Sequence, residues 1–185
     1  DHLPELPPPA RAGAGTRMLA ALRPVLDPEI AQGALEEALA ALEDPAVAAF
    51  LGPEALAEAP VSHLAAPGLR VSGRIDRLRV EPGRIRLLDW KTGPMPEATP
   101  EPYLRQMAAY RDALSRLHPG AEVEASLYWT SARTFAPLAP EALSAALAPR
   151  WNPIKLTSKS YIVEHPATQA PRANAADCTD SARGT

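Results

Sequence analysis

Two aspartates and a lysine in the middle of the sequence could hold a metal ion and hydrolyse a phosphodiester bond. Asp76 lies in the first of two strand-like segments, and Asp89 and Lys91 end the second. Because side chains alternate along a strand, Asp89 and Lys91 share one face and Trp90 lies on the other. Magnesium sites that act on phosphates use one or two carboxylates, and these segments supply two.

The chemistry predicts a separate role for each of these residues. We expect Asp76 and Asp89 to bind Mg²⁺, or Mn²⁺ in its place, with the backbone carbonyl of Trp90 as a further ligand. Lys91 would orient or deprotonate the attacking water, or stabilise the charge that develops on the phosphate. Asp76, Asp89 and Lys91 are therefore the predicted catalytic residues.

A predicted helix over residues 102–117 carries two more candidates. Gln106 and Tyr110 belong to one stripe of this helix and are neighbours, because residues four apart lie one turn apart. We expect their hydrogen-bonding groups to position a DNA backbone or the ligand carboxylates.

The elements before this region follow from hydrophobic spacing and from proline and glycine. Residues 1–15 are expected to be a connector because they are rich in both, and 16–26 a short helix. Asp27 and Asp44, each followed by proline, predict the starts of two helices. A weak strand over 57–64 contains a proline and is expected at a sheet edge.

The first central strand, residues 69–80, changes its hydrophobic phase at Asp76. Its apolar residues are odd-numbered before that position and even-numbered after it. This change predicts a β-bulge or a strong twist that aims the aspartate. The second central strand is predicted at 84–91, followed after the helix by a strand at 123–130 and a short helix at 140–147.

The order of elements predicts a mixed α/β domain in which helices flank a small sheet with the hairpin at its centre. We divide the chain into an N-terminal helical segment (1–53), a core (54–148) and a tail (149–185). The tail has no sustained period and is expected to be disordered, with local pairing conceivable at 161–163.

Composition limits the possible classes. The chain has 185 residues, enough for one domain, and its net charge of −3 provides no global attraction for nucleic acid. A single cysteine excludes an internal disulfide framework. It is compatible with a reducing cytoplasm. No apolar run approaches the length of a membrane span.

Each part of the pattern is common by itself. An Asp-x-Lys pair on a strand is more often a salt bridge, and Gln106 and Tyr110 on a helix are more often interface or core residues. Their combination, in this order along the chain, is far more specific.

Three segments together resemble the RecB-type nuclease branch of the PD-(D/E)xK superfamily. They are Gly73-Arg-Ile-Asp76-Arg-Leu, Leu88-Asp89-Trp90-Lys91-Thr92-Gly93 and Tyr103-Leu-Arg-Gln106-Met-Ala-Ala-Tyr110. The resemblance is closest to the nuclease domains of AddA-type helicase-nuclease subunits. It implies a restriction-endonuclease-like fold in the order αβββαβ. It also implies that Asp76 and Asp89 bind metal, that Lys91 is catalytic, and that Gln106 and Tyr110 form the family's helix motif.

The resemblance further implies a biological setting. It indicates a magnesium-dependent DNA nuclease, most simply an exonuclease, in bacterial double-strand-break repair and recombination. Its substrates would be double-stranded ends or strands delivered by a helicase, its partner an AddB-like subunit, and its location the bacterial cytoplasm.

One family feature is missing. Members usually carry a histidine on an N-terminal helix that completes the metal site; we expect it to precede this chain, because His2 lies too late. We expect His63 to be a surface residue. Glu58 could be a substitute acid near the site, although we expect it to face solvent. The alternative function is therefore a catalytically silent assembly or DNA-guiding module of the same fold. A third possibility is an unrelated α/β binding domain in which Asp89 and Lys91 form a salt bridge.

Overall fold

A computed structural model of the protein describes residues 3–22, 27–66, 69–147 and 160–164. After a 3₁₀ turn at Leu3–Glu5, the helices are α1 (Pro8–Leu22), α2 (Pro28–Glu43), α3 (Pro45–Ala48), α4 (Glu101–Leu117) and α5 (Pro140–Ala146). The strands are β1 (Ala55–Ala66), β2 (Leu69–Glu81), β3 (Arg84–Lys91), β4 (Glu122–Trp129), β5 (Thr134–Pro137) and β6 (Ser160–Glu164). None of the described helices is long and apolar enough to cross a membrane.

The strands form one mixed sheet in the order β1-β2-β3-β4-β5. Strands β3 and β4 run parallel, whereas β1–β2, β2–β3 and β4–β5 are antiparallel pairs. Strand β1 lies at an edge, as its proline predicted. The mixed α/β class with a central hairpin is therefore confirmed.

Strand β2 changes its partner halfway along. Strand β3 pairs with Arg77–Glu81, whereas β6 pairs with Leu69–Gly73. Strand β1 pairs along one edge of β2. Strands β3 and β6 must therefore share the opposite edge of β2. The last β2–β3 pair joins Arg77 to Leu88, and beyond it the two strands separate. We call the resulting opening, between residues 74–76 of β2 and 89–91 of β3, the strand fork.

Helices cover both faces of the sheet. One buried cluster joins α4 to the sheet and includes Met107, Tyr110, Leu114, Ile85 and Leu87. A second lies on the opposite face, under α2 and α3, and comprises Ala41, Val47, Phe50, Leu88 and Tyr128. Strand β3 contributes to both clusters, so it is fixed from both sides up to the point where the fork begins.

Asp76 lies where the side-chain alternation of β2 changes face. Ile75 packs in the cluster under α4, whereas Arg77 lines a cavity under α1 and α2. Residues two apart on a regular strand share a face, so the strand is irregular between these two. Opposite Asp76, Glu58 of β1 has a φ of 50°. The register with β1 does not shift here, so the predicted irregularity at Asp76 is a local distortion of the strand and not a β-bulge.

Helix α1 shows that the expected connector at 1–15 is wrong. The helix starts at Pro8, and the expected helix at 16–26 is only its second half; residues 23–26 lie outside the described part of the chain. Proline at the first helical positions loses no helical hydrogen bond. Gly15 permits close packing with α2, since a Cβ there would lie 2.3 Å from Leu35 Cδ1. This contact offsets the low helix propensity of glycine.

Two short strands were not predicted. Residues 160–164 form β6, where we expected disorder with at most local pairing, and their partner is the distant strand β2. Residues 148–159 and 165–185 of the tail lie outside the described part of the chain. Strand β5 has only four residues, too few to show a period.

Two hydrogen bonds tie α2 and α3 to the end of β4. Tyr128 Oη donates to Asp44 Oδ2 at 2.9 Å, and Thr130 Oγ1 donates to Glu37 Oε2 at 2.8 Å. Burial, together with the hydrogen bond to Asp44, raises the pKa of Tyr128 to about 12. The carboxylate of Asp44 also caps α3, and Asp27 caps α2, as predicted.

Gly73 of β2 lets α4 lie close to the sheet. A Cβ at this position would be 2.4 Å from Tyr110 Oη and 2.9 Å from Tyr110 Cε1. Because the tyrosine ring is fully buried, it cannot move aside easily. We therefore expect Gly73→Ala to lower the free energy of unfolding by about 1–3 kcal/mol, measured by chemical denaturation.

Gly33 of α2 provides the matched control, because no atom lies within 4 Å of a Cβ built there. Gly33→Ala should raise the free energy of unfolding by roughly 0.5–1 kcal/mol through helix propensity alone. A Gly73→Ala protein as stable as the parent would show that α4 does not approach β2 this closely.

Candidate active site

A buried ion pair lies at the end of β3. Lys91 Nζ is 2.5 Å from Asp89 Oδ2. Gln106 of α4 bridges the pair: Lys91 Nζ donates to Gln106 Oε1 at 3.2 Å, and Gln106 Nε2 donates to Asp89 Oδ1 at 3.2 Å. The exposed fraction is 2% for Asp89, 8% for Lys91 and 1% for Gln106. The structure thus brings together three of the residues predicted to form the site.

Two tyrosines of α4 extend this network. Tyr110 Oη accepts a hydrogen bond from Gln106 Nε2 at 3.4 Å and donates one to the carbonyl oxygen of Arg74 at 3.0 Å. Lys91 Nζ lies 4.0 Å from the ring centroid of Tyr103, a cation–π contact that partly compensates the ammonium for lost water. Tyr103 has no predicted role; its position three residues before Gln106 is the sequence signal for this contact.

Asp76 reaches the fork from the β2 side. Its Oδ2 accepts a hydrogen bond from the backbone N–H of Trp90 at 2.9 Å, and the residue is 3% exposed. Because Trp90 lies between Asp89 and Lys91, this bond brings Asp76 to the end of β3. The N–H and C=O of a strand residue point to the same edge, so the carbonyl of Trp90 also faces the Asp76 side.

The donor atoms at the fork fit magnesium. Across the described residues, no three or more His, Cys, Asp or Glu side chains gather as a metal site. Magnesium needs fewer protein side chains than this, because it binds through one or two carboxylates and keeps several waters. Asp76 and Asp89 could supply these, and the Trp90 carbonyl could supply a third oxygen. In this structure Lys91 balances the charge of Asp89.

The face of the sheet behind the fork contains a cavity of about 260 Å³. Trp90 and Arg77 line it, together with residues of α1 and α2. Burial lowers the pKa of the Arg77 guanidinium, and the negative charges of Asp76, Glu5 and Glu58 oppose this shift. Arg77 therefore places a buried positive charge directly behind Asp76.

His63 and Glu58 differ from the surface positions expected for them. The side chain of His63 is only 9% exposed, and its Nε2 lies 3.0 Å from Asp112 Oδ2; this pair joins β1 to α4. Glu58 is partly buried and lies across from Asp76, so it is an acidic neighbour of the fork. His2 lies outside the described residues.

The fold and the fork define a class, a restriction-endonuclease-like α/β domain with an acidic site at the end of its central hairpin. The sequence matches the profile of the PD-(D/E)XK nuclease superfamily over residues 5–179, and the chain belongs to this superfamily. The match extends beyond the expected core of 54–148 on both sides. No match was found among curated proteins.

Divalent cations should stabilise the folded protein if both aspartates bind one ion. A ligand that binds only the native state adds about 1.4 kcal/mol at ten times its Kd. We therefore expect Mg²⁺ or Mn²⁺ to raise the Tm by a few degrees, and EDTA to reverse the change. Asp76→Asn and Asp89→Asn should each lose this shift, which differential scanning fluorimetry measures.

Asp112→Asn is the control for removing a carboxylate. Asp112 pairs with His63 and Arg116 on the β1 side of α4, so its variant should keep the full shift. Equal shifts in all three variants and the parent would place the cation elsewhere.

Proposed function

We propose that this chain hydrolyses DNA phosphodiester bonds with Mg²⁺, or Mn²⁺, at the strand fork. One observation carries the proposal: the buried network of Asp89, Lys91 and Gln106 lies where Asp76 bonds to the end of β3. Burying ions costs several kcal/mol each unless their partners compensate. Such a cluster contributes little net stability, so its presence at the end of a central strand favours a catalytic role.

Each residue has a role in this proposal. Asp76 and Asp89, with the carbonyl of Trp90, would hold the cation, which when bound would supply positive charge to the phosphate and activate water. Lys91 orients the attacking water and stabilises the charge that develops on the phosphate. Gln106 fixes the position of Lys91 by hydrogen bonding, and Tyr110 links Gln106 to the backbone of β2.

We further propose a particular biological setting. The chain would be the exonuclease module of an AddA-type helicase-nuclease that acts with an AddB-like partner in the bacterial cytoplasm. Its substrates would be double-stranded ends or strands delivered by the helicase during repair and recombination. The support is the order and spacing of the three motif segments, in which Gln106 and Tyr110 follow Asp89 and Lys91 on the next helix.

A catalytically silent assembly or DNA-guiding module is the second candidate. It is favoured by one observation, that the Asp89 carboxylate is already engaged by both Lys91 and Gln106. In such a module this network would be structural, and no cation would enter the fork. Metal binding and DNA cleavage therefore distinguish the two candidates.

The catalytic proposal is tested with end-labelled linear DNA, single- and double-stranded, and Mg²⁺. We expect cleavage by the parent that EDTA abolishes. Lys91→Met and Asp89→Asn should reduce the rate by at least about 100-fold, because each removes a group that acts in the transition state. Gel electrophoresis of the products measures the rate, and covalently closed circular DNA should remain intact if the activity is exonucleolytic.

Arg84→Met is the matched control, since Arg84 is a surface residue bonded to Glu124. Its rate should equal that of the parent. If Lys91→Met and Asp89→Asn cleave as fast as the parent, the activity does not come from the fork; if the parent does not cleave at all, the silent module is the better description.

A further inference from the structure

Three groups of the described chain contact the ammonium of Lys91, and they differ in charge. The carboxylate of Asp89 is negative and lies 2.5 Å from Nζ. The other two groups are neutral. Gln106 Oε1 accepts a hydrogen bond from Nζ at 3.2 Å, and Nζ lies over the ring of Tyr103, 4.0 Å from its centroid. The ammonium is therefore held by one charged contact and two neutral ones.

The proposed function makes two demands on Asp89. In this structure its carboxylate neutralises Lys91, yet in the nuclease the same carboxylate would hold a divalent cation. With a cation on Asp89, the net attraction between this site and the ammonium falls, because two positive charges at short range repel each other. Lys91 then stays at the fork only if it is held by contacts for which a cation does not compete.

The ring of Tyr103 is a contact of this kind. The face of an aromatic ring attracts an ammonium through its quadrupole although it carries no net charge. Magnesium binds oxygen ligands, so it does not compete for the face of a ring. The side chain of Lys91 is only 10% exposed, and cation–π contacts are strongest where water is excluded.

Two elements hold this ring in place. Tyr103 lies three residues before Gln106, so both side chains lie on one side of α4. Trp129 of β4 packs against the ring, with the centroids 6.0 Å apart and the ring planes tilted by 57°. Trp129 is 4% exposed and is the register partner of Lys91 on the neighbouring strand. These contacts fix the ring over the ammonium without using Asp89.

We propose that Tyr103 is a positioning residue that keeps the Lys91 ammonium at the strand fork while Asp89 holds the cation. The inference rests on the proposed nuclease function and adds one residue to it. Tyr103 acts through Lys91 and not on the phosphate, and it acts through its ring and not through its hydroxyl. The pairing of Asp89 with Lys91 is then no obstacle to metal binding, because Lys91 has a second place of attachment.

Nuclear magnetic resonance tests the position of Lys91 directly. The chain has three lysines, so protein labelled with ¹³C at lysine Cε gives three signals, and the signal missing from Lys91→Met belongs to Lys91. Protons near the face of an aromatic ring are shielded. We therefore expect the Lys91 signal of the parent to lie upfield of its position in Tyr103→Leu, and to stay there when Mg²⁺ is added. Tyr103→Phe keeps the ring and should keep the shift.

Cleavage of end-labelled DNA tests the same inference through the rate. Tyr103→Leu should lower kcat about 5- to 30-fold, which is the rate equivalent of a cation–π contact at a site with little water. KM should stay close to that of the parent, because Tyr103 does not bind the substrate. Tyr103→Phe should have the kcat of the parent.

Phe135→Leu is the matched control for the loss of an aromatic pair. Phe135 packs against Phe50 with the centroids 6.2 Å apart and the planes tilted by 40°, on the face of the sheet opposite α4. This variant should keep both the kcat and the Lys91 signal of the parent. A loss of kcat equal to that of Tyr103→Leu would reduce the effect to general packing and overturn the inference.

Three further results would overturn the inference: Mg²⁺ moves the Lys91 signal of the parent to its position in Tyr103→Leu, Tyr103→Phe loses as much activity as Tyr103→Leu, or the parent binds no cation. The titration of the parent needs no substitution, so it decides the matter even if Tyr103→Leu is unstable. A parent whose Tm rises with Mg²⁺ and whose Lys91 signal stays in place, but which does not cleave DNA, would support the inference and contradict the proposed catalysis.

Discussion

The hydrogen bond from the Trp90 N–H to the Asp76 carboxylate is the interaction on which the site depends. Up to the pair of Arg77 and Leu88, strands β2 and β3 are joined by their backbones. At Trp90 a side-chain oxygen takes the place of a backbone partner. The strands can therefore separate without leaving this N–H unpaired, and the carboxylate on β2 is held at the end of β3. The change of face at Asp76 also helps to place its carboxylate at the end of β3, since it directs the side chain toward the opening.

The second constraint is the balance of buried charge around the fork. Lys91 neutralises Asp89, Gln106 bonds to both, and the ring of Tyr103 lies against the ammonium. Each of these contacts reduces the cost of burying an ion. The network joins α4 to the end of β3, and Tyr110 carries it on to β2. A cation at the fork would join a site whose polar groups are already oriented, which is the arrangement that rapid chemistry favours.

Much of this arrangement could be predicted from local sequence, because it depends on the short repeats with which side chains alternate along a strand or return to one face of a helix. The alternation along β3 placed Asp89 and Lys91 together, and helical spacing placed Gln106 and Tyr110 on one stripe. The phase change at Asp76 correctly predicted the irregular strand. The features that sequence missed depend on distant partners: α1 tolerates Gly15 because Leu35 packs against it, and β6 pairs with a strand far away in the chain. The local sequence predicts a surface position for His63 because its partner, Asp112, lies on a different element. Nor could local patterns show that a side chain of β2 would bond to the backbone of β3.

The central claim is that Asp76 and Asp89 hold one divalent cation between them at the strand fork. The most direct test is the anomalous scattering of Mn²⁺ in crystals of this chain. The account predicts a peak within roughly 2.0–2.6 Å of one carboxylate oxygen from each aspartate, with the Trp90 carbonyl as a further ligand. A peak bound by only one of the two aspartates, or an ordered ion elsewhere with the Lys91–Asp89 pair undisturbed, would contradict it.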